Sequence, residues 1–421
     1  MRYGRRGAFT EVVKGVVVKG SRLTLILAGL AALGPFSIDT YFPSFGAIGE
    51  HFGVSLLQVQ GTLTYYLVAM ALMMLLHGAL SDSFGRRPVI LVSLTVYTAA
   101  ALGCALAPSF GLLLGFRMLQ GVAAGAGIIV GRAIIRDRFE GSEAHKLMAQ
   151  VTMLFGLAPA IAPVLGGYLH RFFGWQSVFV FLTLFGLVLL AACTFVLPET
   201  LAKEARTPFH PAPLARTYMS IFGSARFVAL VLSLGFGFGG FLVYVASSSD
   251  FVLGVLGVSE TGFAWLFVPI VIGLVGGSWL VNLTAGRVPA DRTASYGYLL
   301  MFGGAAFNLV YTTFFTPQVP WAVLPIVFYT LGVSLQGPII TLYALDLFPK
   351  SRGLASSLQG FLQTMLFAGV SSLVVPLVIG SGFRYALAMI VMLTLNYLGW
   401  RYFHWAAPTA AHPAKVGSKV G

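Results

Sequence analysis

Charge is what this sequence has least of. Only 9% of its 421 residues are Asp, Glu, Lys or Arg, where a soluble domain carries about a quarter. So few charges cannot cover a water-facing surface, which excludes a soluble protein with a large core. Acids are scarcer than bases, 13 Asp+Glu against 26 Lys+Arg. There are only two cysteines, Cys104 and Cys193, each inside an apolar run, and they give no disulfide framework and no metal site. The seven histidines form no ligand cluster. HExxH and P-loop motifs are missing, and no set of catalytic side chains gathers at one face. These absences argue against an enzyme, a bound metal or a cofactor. The longest connection is under about 30 residues, too short for the soluble domain a membrane sensor needs.

What the chain has instead is apolar length. Hydrophobic residues make up 57% of it, and mean hydropathy is +0.88. Runs of about 20 apolar residues match a bilayer core of about 30 Å. Twelve spans are expected, at 23–46, 58–81, 89–108, 110–136, 145–169, 175–197, 226–248, 260–284, 294–315, 320–346, 354–380 and 383–405. Residues 1–22 read as a retained basic tail rather than a signal peptide, because the following apolar run is long enough to span. The stretch 198–225, with Pro198, Pro208, Pro211 and Pro213, reads as a linker between six-helix bundles at 23–197 and 226–405, and 406–421 as a C-terminal tail. With both termini placed in the cytoplasm, 23 Lys and Arg fall on that side and two, Arg171 and Arg384, on the other. That split assigns the orientation and accounts for the basic balance without nucleic acid. Asp137/Asp346, Phe139/Phe348 and Ser142/Ser351 recur at one offset, an internal repeat of the kind secondary transporters carry.

"GALSDSFGRRP" at 78–88 is the densest charge in the apolar region. Gly78 and Gly85 permit close approach and a tight turn, and Pro88 suits a helix start. Asp82 at a helix end and Arg86 and Arg87 at the next start oppose the helix-dipole preference. They therefore call for partners, among them charges at 132–140 such as Asp137, in a clasp that can gate the cytoplasmic mouth. The simpler reading is a positive-inside turn.

This turn resembles the signature G-x-L-x-D-x-x-G-[RK]-[RK] of the major facilitator superfamily, with Ser83 in place of the usual basic residue. "LGPFSIDTYFP" (33–43), "LGFRMLQGVAAG" (114–125) and "GLAPAIAPVLGG" (156–167) resemble the first-, fourth- and fifth-helix motifs of its drug:proton antiporters. "LPET" (197–200) fits the same branch. Ala158 and Ala162 stand where glycine is usual. The ensemble is most similar to the bicyclomycin/chloramphenicol-resistance subfamily. The resemblance implies an all-α polytopic membrane protein of twelve helices in two pseudo-symmetric bundles. It also implies a multi-pass carrier in the bacterial inner membrane, acting as a monomer on a small molecule and H+ with no cofactor. The fifth-helix residues Gly156, Pro159, Pro163, Gly166 and Gly167 would form its antiporter helix, a hinge or seal, or else merely a kinked packing helix.

Asp39 and Arg117 stand out without any family. Each lies inside an apolar span, where a charge is costly and marks function by default. Both are about 13 Å below the outer surface at 1.5 Å per residue, so mutual contact or a shared cavity is expected. Burial favours a neutral carboxyl and a nearby arginine favours the anion. An acid poised between them can carry a proton. A structural ion pair locking two helices is the alternative. Tyr41, Tyr65, Phe155 and Tyr244, with Gln336 and Gln363, are candidates to line a drug pocket, though aromatics at such spacing also pack helices. The function expected is proton-coupled export of small amphipathic drugs. Export of an endogenous metabolite, such as an amino acid or siderophore, is the alternative. "GFGFGG" (235–240) lies mid-span with no preceding strand, so it is a packing element rather than a nucleotide fingerprint.

Overall fold

The computed structural model describes residues 22–139, 141–284 and 287–406; the side chains of 141–146, 149–150, 152–157 and Glu260 lie outside the description. Among the described residues there is no strand. Ten helices among the described residues are long and apolar enough to cross a membrane. Gly141–Phe173 and Ala290–Phe314 take the fifth and ninth places between them. The result is the twelve-helix membrane fold expected.

Local sequence explains where spans start and break. The second span, Leu56–Phe84, opens on a capping box between Ser55 and Gln58, which satisfies two orphan amides reciprocally. Ser109, Ser224 and Ser381 cap the fourth (Phe110–Arg138), seventh (Ala225–Ala246) and twelfth (Gly382–Trp405) spans. The first span is not continuous. Its α-helix, Arg22–Asp39, stops at the acid, a 3-10 turn covers Phe42–Ser44, and Phe45–Phe52 completes it. The seventh loses α geometry after Ala246 and continues as a π segment, Asp250–Val255. The eleventh changes likewise at Val370–Val374. The fifth span remains α-helical across Pro159 and Pro163.

Packing repeats between halves. The second and fourth spans pack together, as do the eighth (Ala264–Thr284) and tenth (Leu324–Asp346); the third (Arg86–Ala105) packs on the sixth (Gln176–Val196) as the ninth packs on the twelfth. The halves meet where the second span lies on the eleventh and the fifth on the eighth. Outward residues such as Leu184, Val188, Phe195, Leu299, Phe314 and Leu373 are large, apolar and exposed, a surface suited to lipid. The 198–225 connection holds a helix, Pro211–Phe222, which its prolines had not advertised; Pro211 occupies its first turn, where a missing amide costs nothing. Tyr218 on this helix donates to the Leu75 carbonyl at 2.8 Å. Burial raises the phenol's pKa, against a lowering hydrogen bond with Ser357, so the donor stays protonated.

Candidate functional site

Asp39 is the last α-helical residue before the break in the first span and is 4% exposed. Among the described residues it has no ion pair or hydrogen bond. Its neighbour Thr40 meets the fifth span at Gly166, where an added Cβ would lie 2.0 Å from the Thr40 carbonyl oxygen. Only glycine allows that approach, so the proposed antiporter helix rests directly on the turn that carries the acid.

Arg117 is fully buried. It donates to the Ser37 carbonyl at 3.1 Å and to Gln120 Oε1 at 2.8 Å. Its guanidinium lies 4.8 Å from the Tyr41 ring centre and 4.5 Å from that of Tyr66, within cation–π range. Its Nε and Nη2 have no hydrogen-bond partner among the described residues. Of the two arrangements expected, direct Asp39–Arg117 contact is not formed, and neither is the structural ion pair that was the alternative. The arginine instead holds the backbone two residues before the acid, because the break at Asp39 leaves the preceding turn's carbonyls open to a donor.

The 78–88 turn is clasped. Arg86 Nε lies 3.0 Å from Asp137 Oδ2, and its Nη1 bonds Asp82 and, at 2.7 Å, Ser81. Gly85 has φ +100, a backbone conformation that favours glycine. A Cβ there would also meet Glu199 at 2.4 Å. Glu199 Oε1 accepts from the Arg86 amide at 3.0 Å and Arg206 stands 3.6 Å from its Oε2. Arg87 Nη2 caps the Thr194 carbonyl at 2.7 Å. An added Cβ at Gly78 would lie 3.9 Å from Ile129 and 4.0 Å from Ser357. Glu199 was missed as a partner although "LPET" was noticed; an acid just beyond a span and facing an orphan helix N-terminus is the signal that could have found it.

Three of the six pocket candidates lie inside their own halves. Tyr41 is buried inside the first half, bonded to Thr62 at 3.0 Å and packed on Phe45 and Phe179. Tyr244 is buried inside the second half, where Asn308 Nδ2 meets its hydroxyl at 2.6 Å. Gln336 is fully buried with neither amide atom partnered. It abuts Gly237, whose added Cβ would lie 2.7 Å from the Gln336 Nε2. These three pack bundle interiors, where the Tyr41 and Tyr244 hydroxyls replace water with Thr62 and Asn308. Tyr65 is about half-exposed at 49%, and Gln363 is partly buried. The side chains of Phe155 and of Ser142 from the repeat, and the surroundings of Gly156, lie outside the description. Gly167 and Pro163 are buried and Pro159 is partly so. In "GFGFGG" an added Cβ at Gly240 would fall 2.0 Å from the Tyr329 hydroxyl, so the motif is a close-packing surface.

At the end opposite the 78–88 turn, polar side chains join the halves. Ser249 donates to the Phe42 carbonyl. Gln60 Nε2 reaches the Ala246 carbonyl at 3.1 Å and that of Ser371 at 3.5 Å, and Thr64 bonds Ser371 at 3.3 Å. Each carbonyl belongs to a span that breaks there. Sequence reasoning missed this seal, because helix breaks of this kind carry no fixed motif.

The family model of the Major Facilitator Superfamily matches residues 26–372. The chain belongs to the Major Facilitator Superfamily. It is 31% identical over 359 residues to a bicyclomycin resistance protein homolog of Haemophilus influenzae, covering 83% of this chain and 88% of that one. It is 26% identical to a chloramphenicol resistance protein of Pseudomonas aeruginosa, covering 84% and 83%. Among solved structures, a bacterial homolog of the human lysosomal transporter Spinster superposes with a TM-score of 0.70 at 16% identity, over 93% of this chain and 100% of that one. This superfamily member is therefore a multi-pass membrane transporter of small molecules, and no catalytic family is indicated.

Proposed function

We propose that this transporter exports small amphipathic drugs of the bicyclomycin and chloramphenicol kind in exchange for protons, by alternating access. The drug half of this reading is supported by the resistance proteins it resembles. The proton half is carried by one observation: Asp39 is buried at a helix break without a charged partner among the described residues. A carboxyl so placed is stable when neutral and must meet water or a polar cargo to ionise.

In the cycle we infer, protonated Asp39 releases its proton to the cytoplasmic side, and the resulting anion needs stabilisation from cargo or from Arg117. Arg117 positions the Ser37–Asp39 turn through the Ser37 carbonyl. Cargo leaves on the outer side, a proton from that side neutralises the carboxylate, and the empty carrier returns. Each proton entering down the potential contributes about 2.3 kcal/mol per 100 mV. The fifth span follows the turn through Gly166. We place the protein as a monomer in the bacterial inner membrane, with both termini cytoplasmic and no cofactor.

The test is efflux from a drug-sensitive host with and without protonophore, alongside Asp39→Asn. Loss of export in the variant, with normal folded yield in the membrane, supports the reading. Export that survives either treatment unchanged refutes proton coupling through Asp39. Unaltered susceptibility to chloramphenicol and bicyclomycin points to an endogenous metabolite as the cargo.

A further inference from the structure

The first and fourth spans touch at Gly127, where an added Cβ would stand 2.4 Å from the Leu30 carbonyl oxygen. Toward the end with the 78–88 turn they part around a cavity of about 30 Å³. Leu27, Ala31, Gly131, Ile135 and Val151 contribute apolar or small walls, and Arg132 is its one charged lining residue. Arg132 lies six residues before the fourth helix ends at Arg138, roughly 9 Å along the axis. Its side chain is exposed and, among the described residues, has no ion pair or hydrogen bond. The neighbouring Arg136 on the same face is a second positive charge.

Among the described acids of that end, all but the exposed Glu204 are engaged elsewhere. Asp82 and Asp137 hold Arg86, Glu199 faces Arg206, Asp346 holds Arg352, and Asp291 receives Tyr343 and lies near His404. Arg132 is thus a cation with open donors beside an apolar niche the size of one small group. A planar guanidinium in such a setting takes a carboxylate in two parallel hydrogen bonds, while a cationic ligand meets two like charges.

We propose that Arg132 at this cavity binds the anionic end of an amphipathic cargo, so that the transporter prefers anionic over cationic forms of its ligands. This rests on the drug-export reading and specifies the charge of its substrates.

The test uses full-length protein in nanodiscs and equilibrium binding of three probes: chloramphenicol, its negatively charged succinate ester, and tetraphenylphosphonium. The wild type should bind the succinate most tightly and tetraphenylphosphonium least. Arg132→Gln should weaken the succinate roughly tenfold, the value of one lost charged hydrogen-bond pair. It should leave chloramphenicol within about twofold and improve tetraphenylphosphonium. Arg132→Lys should keep most of the preference, and both variants should unfold near the wild-type temperature. Equal weakening of all three probes, or an unchanged succinate affinity in Arg132→Gln, overturns the inference while export of chloramphenicol still stands. If the wild type neither binds nor exports chloramphenicol, the export reading fails instead. The charge preference is then read from anilinonaphthalene sulfonate: weaker binding in Arg132→Gln supports it and unchanged binding overturns it.

Discussion

The two halves share a helix plan and differ in how they hold the end that carries their charged turns. In the first half Arg86, with 9% of its side chain exposed, is gripped by Asp82 and Asp137, and its own amide is capped by Glu199 from beyond the sixth span. In the second half Arg352 pairs with Asp346 with both side chains more than half exposed. Asp291 is met by the Tyr343 hydroxyl at 2.9 Å, and His404 lies 3.6 Å from it. One half ties four chain segments together with largely dehydrated charge, while the other relies on a local solvated pair and on exposed contacts to Asp291. Since water screens exposed pairs and not buried ones, the first half should behave as the rigid element at that end. The interiors differ too. Arg117 and its aromatic cage fill the first half, whereas the second uses neutral groups: Asn396 accepts from Ser233 at 2.8 Å and from Tyr298 at 2.9 Å.

Four substitutions break or sharpen this contrast. Cys104 and Cys193 are both free and buried, so a thiol-reactive dye reports unfolding in each case. Gly166→Ala forces a methyl against backbone at Thr40 and should have the largest effect. Overpacking of this kind costs about 1–3 kcal/mol or more, and export should be lost because the fifth span can no longer seat beside Asp39; wild-type transport in that variant would show the contact to be dispensable. Arg86→Ala strands two carboxylates and should destabilise by about 2–3 kcal/mol, seen as a clear fall in unfolding temperature. Gln336→Met removes an amide that has no partner and is close in volume, so stability should change by less than about 1.5 kcal/mol in either direction; a large loss would reveal a bond the amide makes. Arg352→Ala should cost at most about 1 kcal/mol, and a loss equal to that of Arg86→Ala would erase the asymmetry between the halves.

The fold was legible because hydropathy in lipid is nearly a direct readout: every span must satisfy its own backbone. The clasp was legible in part, since charges placed against the helix dipole demanded partners, and Asp137 was among the residues named. Glu199 escaped notice because its partner is a backbone amide 113 positions away in sequence. The depth argument brought Asp39 and Arg117 to one level. It could not tell a side-chain pair from a bond to a carbonyl two residues off, because the break at Asp39 is a tertiary outcome. Tyr41, Tyr244 and Gln336 fell into bundle interiors for a simpler reason: a helix presents side chains to its own bundle, to the other half and to lipid, and period alone does not label the faces.

The far-end seal has a consequence for how easily this carrier changes shape. Phe42, Ala246 and Ser371 offer carbonyls freed by helix breaks, and Ser249 and Gln60 occupy them from the opposite half. Water makes the same bonds with nearly the same enthalpy. When the halves separate there, solvent can replace each lost partner one for one. The door is then held by exchangeable hydration rather than by attraction, and a modest bias from cargo or a proton is enough to swing it.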